Sequence, residues 1–264
     1  MAENIFDRNC ALIDKRIEAG LETLGKSYEV KEQPVPELFA NLNIHNMAFE
    51  IRQYEIVGVG NLVTMKCKSE GTQMDTFTLM PYYKNLPLFT TDYIYNGENR
   101  MFLNEIYDLS VYHDDLYDKY IAVFKSNDEK HKNLPDMPTK PCWYDDIRPV
   151  CTSKRTGVES EEENLSIFYE NLDAFIKMEK ETDLLQGSDK SKKWAINKDY
   201  ADRLVDEGGV STDVFKSSLG AENTHKFCDE VFFGTTKFPV KSLKSTKPPE
   251  FGRLFCVQNP YPYR

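Results

Sequence analysis

The stretch Leu86-Pro87-Leu88-Phe89-Thr90-Thr91-Asp92-Tyr93-Ile94-Tyr95-Asn96-Gly97 decides the fold. Thr90 to Tyr95 is a β-like run, and Asn96-Gly97 is a strong hairpin signal because both residues tolerate the positive φ of a tight turn. Met101 to Leu109 returns from that turn. Working upstream, Thr76 to Met80, Asn61 to Cys67 and Ile51 to Val59 read as further short strands, so the β texture spans Phe49 to Leu109. Strands joined by short connections make an antiparallel meander, whereas a parallel sheet would need helices between them. Gly58 and Gly60 are only a fragment of a glycine-rich motif, with no helix after them, which argues against a phosphate cradle.

Helical patterns flank this block. Ile5, Leu12, Ile13, Ile17 and Leu21 fall near helical spacing, predicting an amphipathic helix over Ile5 to Leu24. Residues 31–47, with Pro34 and Pro36, read as irregular. Asp115 to Lys125 reads as helix and 127–150, with four prolines, as a long loop. Glu159 to Glu181 carries Leu165, Phe168, Leu172, Phe175 and Ile176 on one stripe, and its acidic start suits a helix N-terminus. Gly187 to Lys193 reads as a polar link before a helix from Trp194 to Val205. Gly208-Gly209 break that helix, Ser211 serves as N-cap for another through Leu219, and Gly220 stops it. A last helix runs from Glu222 to Phe233, ending at Gly234, and the tail from 235 reads as irregular. One helix, then strands, then helices predicts a single domain built on an antiparallel β-sheet flanked by helices.

Composition bounds the function. Hydrophobic residues make up 40% and charged residues 29% of the 264, enough to build a core. A net charge of −10, with no basic block, argues against nucleic acid, whose phosphates must be neutralised by Lys and Arg. The six cysteines form no C-x-x-C pair and the four histidines are scattered, so no metal site is predicted. No run approaches the ~18 apolar residues of a membrane helix, and no apolar leader stands at the N-terminus. The expectation is a soluble protein of a reducing compartment, monomeric, without membrane contact.

The one constellation with chemical promise is Asp92, a carboxyl group between the apolar Pro87 turn and a β-like run. Held against apolar surface it resists ionisation and can remain a proton donor near neutral pH. Exposed, it would cap a turn or pair with a lysine. Both readings stand on these residues alone.

The run from Met80-Pro81 to Asp92, ending Leu-Pro-Leu-Phe-Thr-Thr-Asp, resembles the signature of the ferredoxin-dependent bilin reductases. The segment Phe215 to Gly220 followed by Glu222 to Gly234, ending Cys-Asp-Glu-Val-Phe-Phe-Gly, is similar to that family's closing helices. The resemblance covers residues 48–234 in order and is concentrated in these two segments. It implies an α/β/α sandwich that binds a linear tetrapyrrole, biliverdin or a dihydrobilin, between sheet and C-terminal helices. Reduced ferredoxin would deliver single electrons to radical intermediates, with no bound cofactor, in the cytoplasm or a plastid. Asp92 would be the central proton donor. A red chlorophyll catabolite reductase-like enzyme and a non-catalytic bilin-binding relative are the alternatives.

Departures from the family pattern shape the remaining site expectations. The position where many members carry His falls at Thr76, and the neighbouring strand's pair falls near Lys66 and Lys68. Those two lysines are two apart on a strand and so share a face, offering partners for a ligand's propionates. Arg148 and Arg155 lie where the family places basic residues facing the ligand, and would meet its propionates; exposed loop arginines are the other reading. An Asp used by relatives before the penultimate helix falls at Gly209, with Asp206 and Asp213 on either side. Asp206 is the expected second proton donor and Asp213 a substrate contact. Lys190, Lys192 and Lys193, or the tail lysines Lys237, Lys241 and Lys244, are the candidate basic patch for an acidic ferredoxin.

Overall fold

Asn4 opens the first helix by accepting a 3.2 Å hydrogen bond from the Phe6 amide, which satisfies one of the free N–H groups at the helix start. The computed structural model describes residues 4–238, the side chains of 210 and 211 excepted. Helix α1 (Ile5–Gly25) precedes strand β1 (Val30–Gln33), the single turn α2 (Glu37–Ala40) and β2 (Asn41–Ile44). The meander follows as β3 (Met47–Ile56), β4 (Gly60–Lys68), β5 (Gln73–Pro81), β6 (Leu88–Asn96) and β7 (Asn99–Tyr107). Helix α3 (Asp115–Lys130), strand β8 (Val150–Gly157) and helix α4 (Glu161–Glu181) come next. Helices α5 (Ser188–Asp206) and α6 (Val210–Phe227) and a π-helical turn (Cys228–Phe232) complete the order.

Among the described residues the strands form one eight-stranded sheet in the order β1-β3-β4-β5-β6-β7-β8, every pair antiparallel, with β2 on the other half of long β3. The expected sandwich is present. Several details differ from the sequence expectation: α6 starts at Val210 with Gly209, not Ser211, as its N-cap, and four others follow. Residues 31–47 are not irregular, because both halves of β3 find short partners there. Helix α3 runs on to Lys130, and a 3₁₀ turn (Trp143–Ile147) interrupts the expected loop. Strand β8 was not expected at all. Helix α5 begins at Ser188, so the expected link is its first two turns.

Alternation along the strands sorts the side chains onto two faces. The back face carries Leu62, Phe77, Leu79, Phe89, Tyr93 and Phe102, packed against α1, α3 and α4. Phe168 of α4 meets Phe77 edge-on at 5.4 Å between centroids. Gly20 lets α1 approach closely: a Cβ there would lie 2.8 Å from the Phe77 ring. Arg16 of α1 is buried in this core, paired with Asp75, donating to Thr91 Oγ1 at 3.0 Å and lying 4.0 Å over the Tyr93 ring. On the front face, Val63, Met65 and Cys67 pack against Phe215, Phe227 and Val231 of α6 and the π turn. Gly220, at φ 77° and ψ 159°, breaks α6 where the sequence placed a stop; that conformation is open to glycine and strained for other residues. Among the described residues no helix is long and apolar enough to cross a membrane.

Candidate active site

Where the front face leaves β5, β6 and β7, helices α5 and α6 do not seal against it. A cleft of about 850 Å³ remains, a volume suited to a small organic ligand. Its floor includes Leu88, Ile94 and Leu103, and its roof includes Leu204, Phe215 and Phe227. Phe215 and Phe227 stack with centroids 5.2 Å apart. At one end Tyr107 lies 5.4 Å from Tyr200 and 5.7 Å from Tyr144, ring to ring.

Asp92 points into this cleft. Register places it opposite Thr76 on β5, whose hydroxyl donates to Asp92 Oδ1 at 2.5 Å. Thr78 and Thr90, the next pair along the same face, bond hydroxyl to hydroxyl at 2.6 Å. The polar row therefore has few donors for a carboxylate, and Ile94 and Leu103 beside Asp92 offer none. Burial is the dominant influence and pushes the Asp92 pKa up to about 6; the Thr76 hydrogen bond opposes this, the nearby Glu105 adds to it and Arg16 opposes it. A carboxyl poised there exchanges a proton near neutral pH, which suits a general acid.

Glu105 is the second acid of the cleft and was missed in the sequence. It sits on β7 opposite Thr90, one diagonal step from Asp92, and is almost fully buried. The signal was present. A two-residue turn after Asn96 sets the pairing Asn96↔Asn99, and counting from it puts Leu103, Glu105 and Tyr107 on the face of Asp92. Glu105 accepts from Arg148, and Arg148 donates also to Asp145 at 2.5 Å. Burial is the largest single influence on Arg148 and would lower its pKa, but the groups around it, Glu105 foremost, together outweigh it and the net direction is upward.

The other predicted residues divide. Thr76 and Arg148 reach the site, and Asp213 lines the cleft from the first turn of α6. Arg155 is exposed, its guanidinium against Met101 Sδ at 3.4 Å, and does not line the cleft. Lys66 and Lys68 do share a face, but it is the back one: both bind Asp14 of α1, at 2.8 and 2.6 Å. The sheet stands between them and the cleft. Asp206 is exposed at the end of α5, with Oδ1 2.9 Å from His225 Nε2, and does not line the cleft; Glu207, Gly208, Gly209, Thr212 and Asp213 do. Lys193 is not a surface lysine. It is fully buried and donates to the carbonyls of Leu86 and Leu109 at 2.6 and 2.7 Å. Lys190 and Lys192 are exposed, the latter beside Asp189 at 2.8 Å, and Lys237 donates to the Pro34 carbonyl at 3.1 Å. Lys241 and Lys244 lie outside the described residues.

Fold and cleft together define a class: an α/β/α sandwich around an antiparallel sheet, open between the sheet and its C-terminal helices. The same fold is found in the crystal structure of phytochromobilin synthase from tomato in complex with biliverdin. That structure matches this chain with a TM-score of 0.71 at 15% identity, over 87% of this chain and 85% of that one. No protein-family model and no curated protein sequence matches. The fold implied by the resemblance in residues 80–92 and 215–234 is thus the fold the chain adopts.

Proposed function

We propose that this protein is a reductase of linear tetrapyrroles, taking single electrons from reduced ferredoxin and protons from Asp92. The observation that carries the reading is a carboxyl group with a pKa of about 6 facing a cleft of about 850 Å³. The shared fold of a protein solved with biliverdin and the sequence resemblance around Asp92 support it. Saturating one bilin double bond takes two electrons and two protons. Ferredoxin would supply the electrons one at a time, and Asp92 would protonate the pigment as its electron density rises, then recover its proton from solvent. Protonation makes each electron transfer more favourable, and withholding water keeps the radical from side reactions. No cofactor bound to the protein is required by this scheme.

Asp213, at the cleft mouth, is better placed than Asp206 to serve as a second acid. For ferredoxin, Lys190 and Lys192 near the start of α5 are, among the described residues, the exposed lysines of the expected basic patch.

The test is anaerobic incubation with biliverdin, ferredoxin and a ferredoxin-reducing system. A progressive blue shift of the pigment's long-wavelength band is expected. Asp92→Asn should bind biliverdin with the wild-type spectral shift and lose roughly 10²–10⁴-fold in turnover, the usual contribution of a general acid. Binding without reduction in the wild-type protein would point to a pigment carrier, and no spectral change would refute the tetrapyrrole reading.

A further inference from the structure

The cleft's buried basic group is already engaged. Arg148 lies between two acids, Glu105 within the cleft and Asp145 at its edge, and its guanidinium faces the Tyr144 ring at 5.4 Å. Both members of the Arg148–Glu105 pair are largely hidden from solvent, with side chains 8% and 9% exposed. A ligand carboxylate that captured Arg148 would strip Glu105 of its cation and leave that acid buried beside a second anion. The exchange forms one ion pair by breaking another, and the stranded carboxylate carries its full desolvation cost. Asp92, one strand away on the same face, makes the neighbourhood still less receptive to added negative charge.

We infer that Glu105 sets ligand specificity in this cleft by withholding Arg148 from ligand carboxylates. The inner end of the site then accepts the uncharged or N–H-bearing part of a pigment, and its acid side chains stay toward the mouth, where Lys140 of the 137–143 segment is exposed. The inference rests on the tetrapyrrole reading above but assigns Arg148 the opposite role from the one the sequence suggested. Carboxylates left in solvent contribute little to affinity, so removing their charge should hardly matter in the wild-type protein.

The experiment compares biliverdin with biliverdin dimethyl ester, in which both propionates are neutral, by absorbance titration. The quantity read is the ratio of the two dissociation constants in wild type, Arg148→Met and Glu105→Gln. We expect the wild-type ratio to lie within about threefold of one and to stay within about twofold of that value in Arg148→Met. Glu105→Gln keeps the shape of the side chain and leaves Arg148 with only the more exposed Asp145 as its acid partner, so it should favour the free acid by a further fivefold or more. A wild-type preference for the free acid above tenfold that Arg148→Met abolishes would overturn the inference, as would an unchanged ratio in Glu105→Gln. If neither pigment perturbs the spectrum of any variant, the tetrapyrrole reading itself falls and the inference with it, an outcome distinct from the other two. Circular dichroism on each variant separates a lost fold from a changed preference.

Discussion

The two faces of the sheet solve opposite problems with the same eight strands. Behind it, α1, α3 and α4 lay a continuous layer of Phe, Tyr, Leu and Ile onto the strands, and even the buried Arg16 has Asp75, Thr91 and the Tyr93 ring for company. In front, α5 and α6 leave a gap over β5–β7, where threonines and acids replace the apolar row. One face holds the molecule together, and the other keeps a carboxyl group in an environment that strains its ionisation. The difference teaches where stability and activity should separate under mutation.

The largest expected effect is on the back face. Phe168→Ala removes a ring packed against Phe77 and Phe89 and should cost about 3–5 kcal/mol in urea unfolding. Leu204→Ala, in the wall of the cleft, should cost about 1 kcal/mol or less. Equal costs would erase the distinction between a sealed face and an open one.

Next is Lys193, the buried cation that ties α5 to the turn before β6. Burial lowers its pKa to about 7. The folded protein therefore loses this proton near pH 7 and the unfolded chain only near 10.4, so between these values the unfolded state binds more protons and stability rises with pH. The rise should amount to roughly 3–5 kcal/mol and be missing in Lys193→Met. Unfolding curves at a series of pH values read it directly.

Asp92 gives the opposite slope. Its folded pKa of about 6 stands above the ordinary carboxylate value, so the folded state holds the proton longer and stability falls as pH rises from about 4 through 6. Asp92→Asn should remove that slope and stabilise the protein at pH 8 by roughly 1–3 kcal/mol while cutting turnover roughly 10²–10⁴-fold. Smallest is Thr76→Val. Removing the hydroxyl that favours the ionised form should move the Asp92 pKa up by about half a unit to one unit, shifting the alkaline limb of the turnover profile by the same amount.

What the sequence disclosed follows from what buries each element. The β3–β7 meander was legible because β-branched and aromatic residues and the Asn96-Gly97 turn mark it. Strand β8 was not, because apart from Val150 its buried side chains are polar. Thr152 bonds Asp128 at 2.6 Å, Lys154 bonds Asp136 at 2.6 Å and Thr156 accepts from Asn164 at 2.7 Å, so no apolar alternation is written into it. Strand β4 shows the limit of parity. Its side chains are buried on both faces almost throughout, and nothing in the alternation says that Met65 rather than Lys66 looks toward α6. Asp92 and Thr76 could be named because they lie at the readable turn and the strand before it. Glu105 needed the hairpin register counted through, and the fate of Asp206 depended on how the α5–α6 corner turns at Gly208 and Gly209, which spacing alone does not disclose.

The measurement closest to the centre of this account is an infrared pH titration of the carboxyl band that distinguishes wild type from Asp92→Asn. A midpoint near 6 is what a desolvated acid in the cleft requires. A midpoint near 4, the value of an exposed aspartate, would mean that water reaches Asp92 freely, and the proton-donor role assigned to it could not stand.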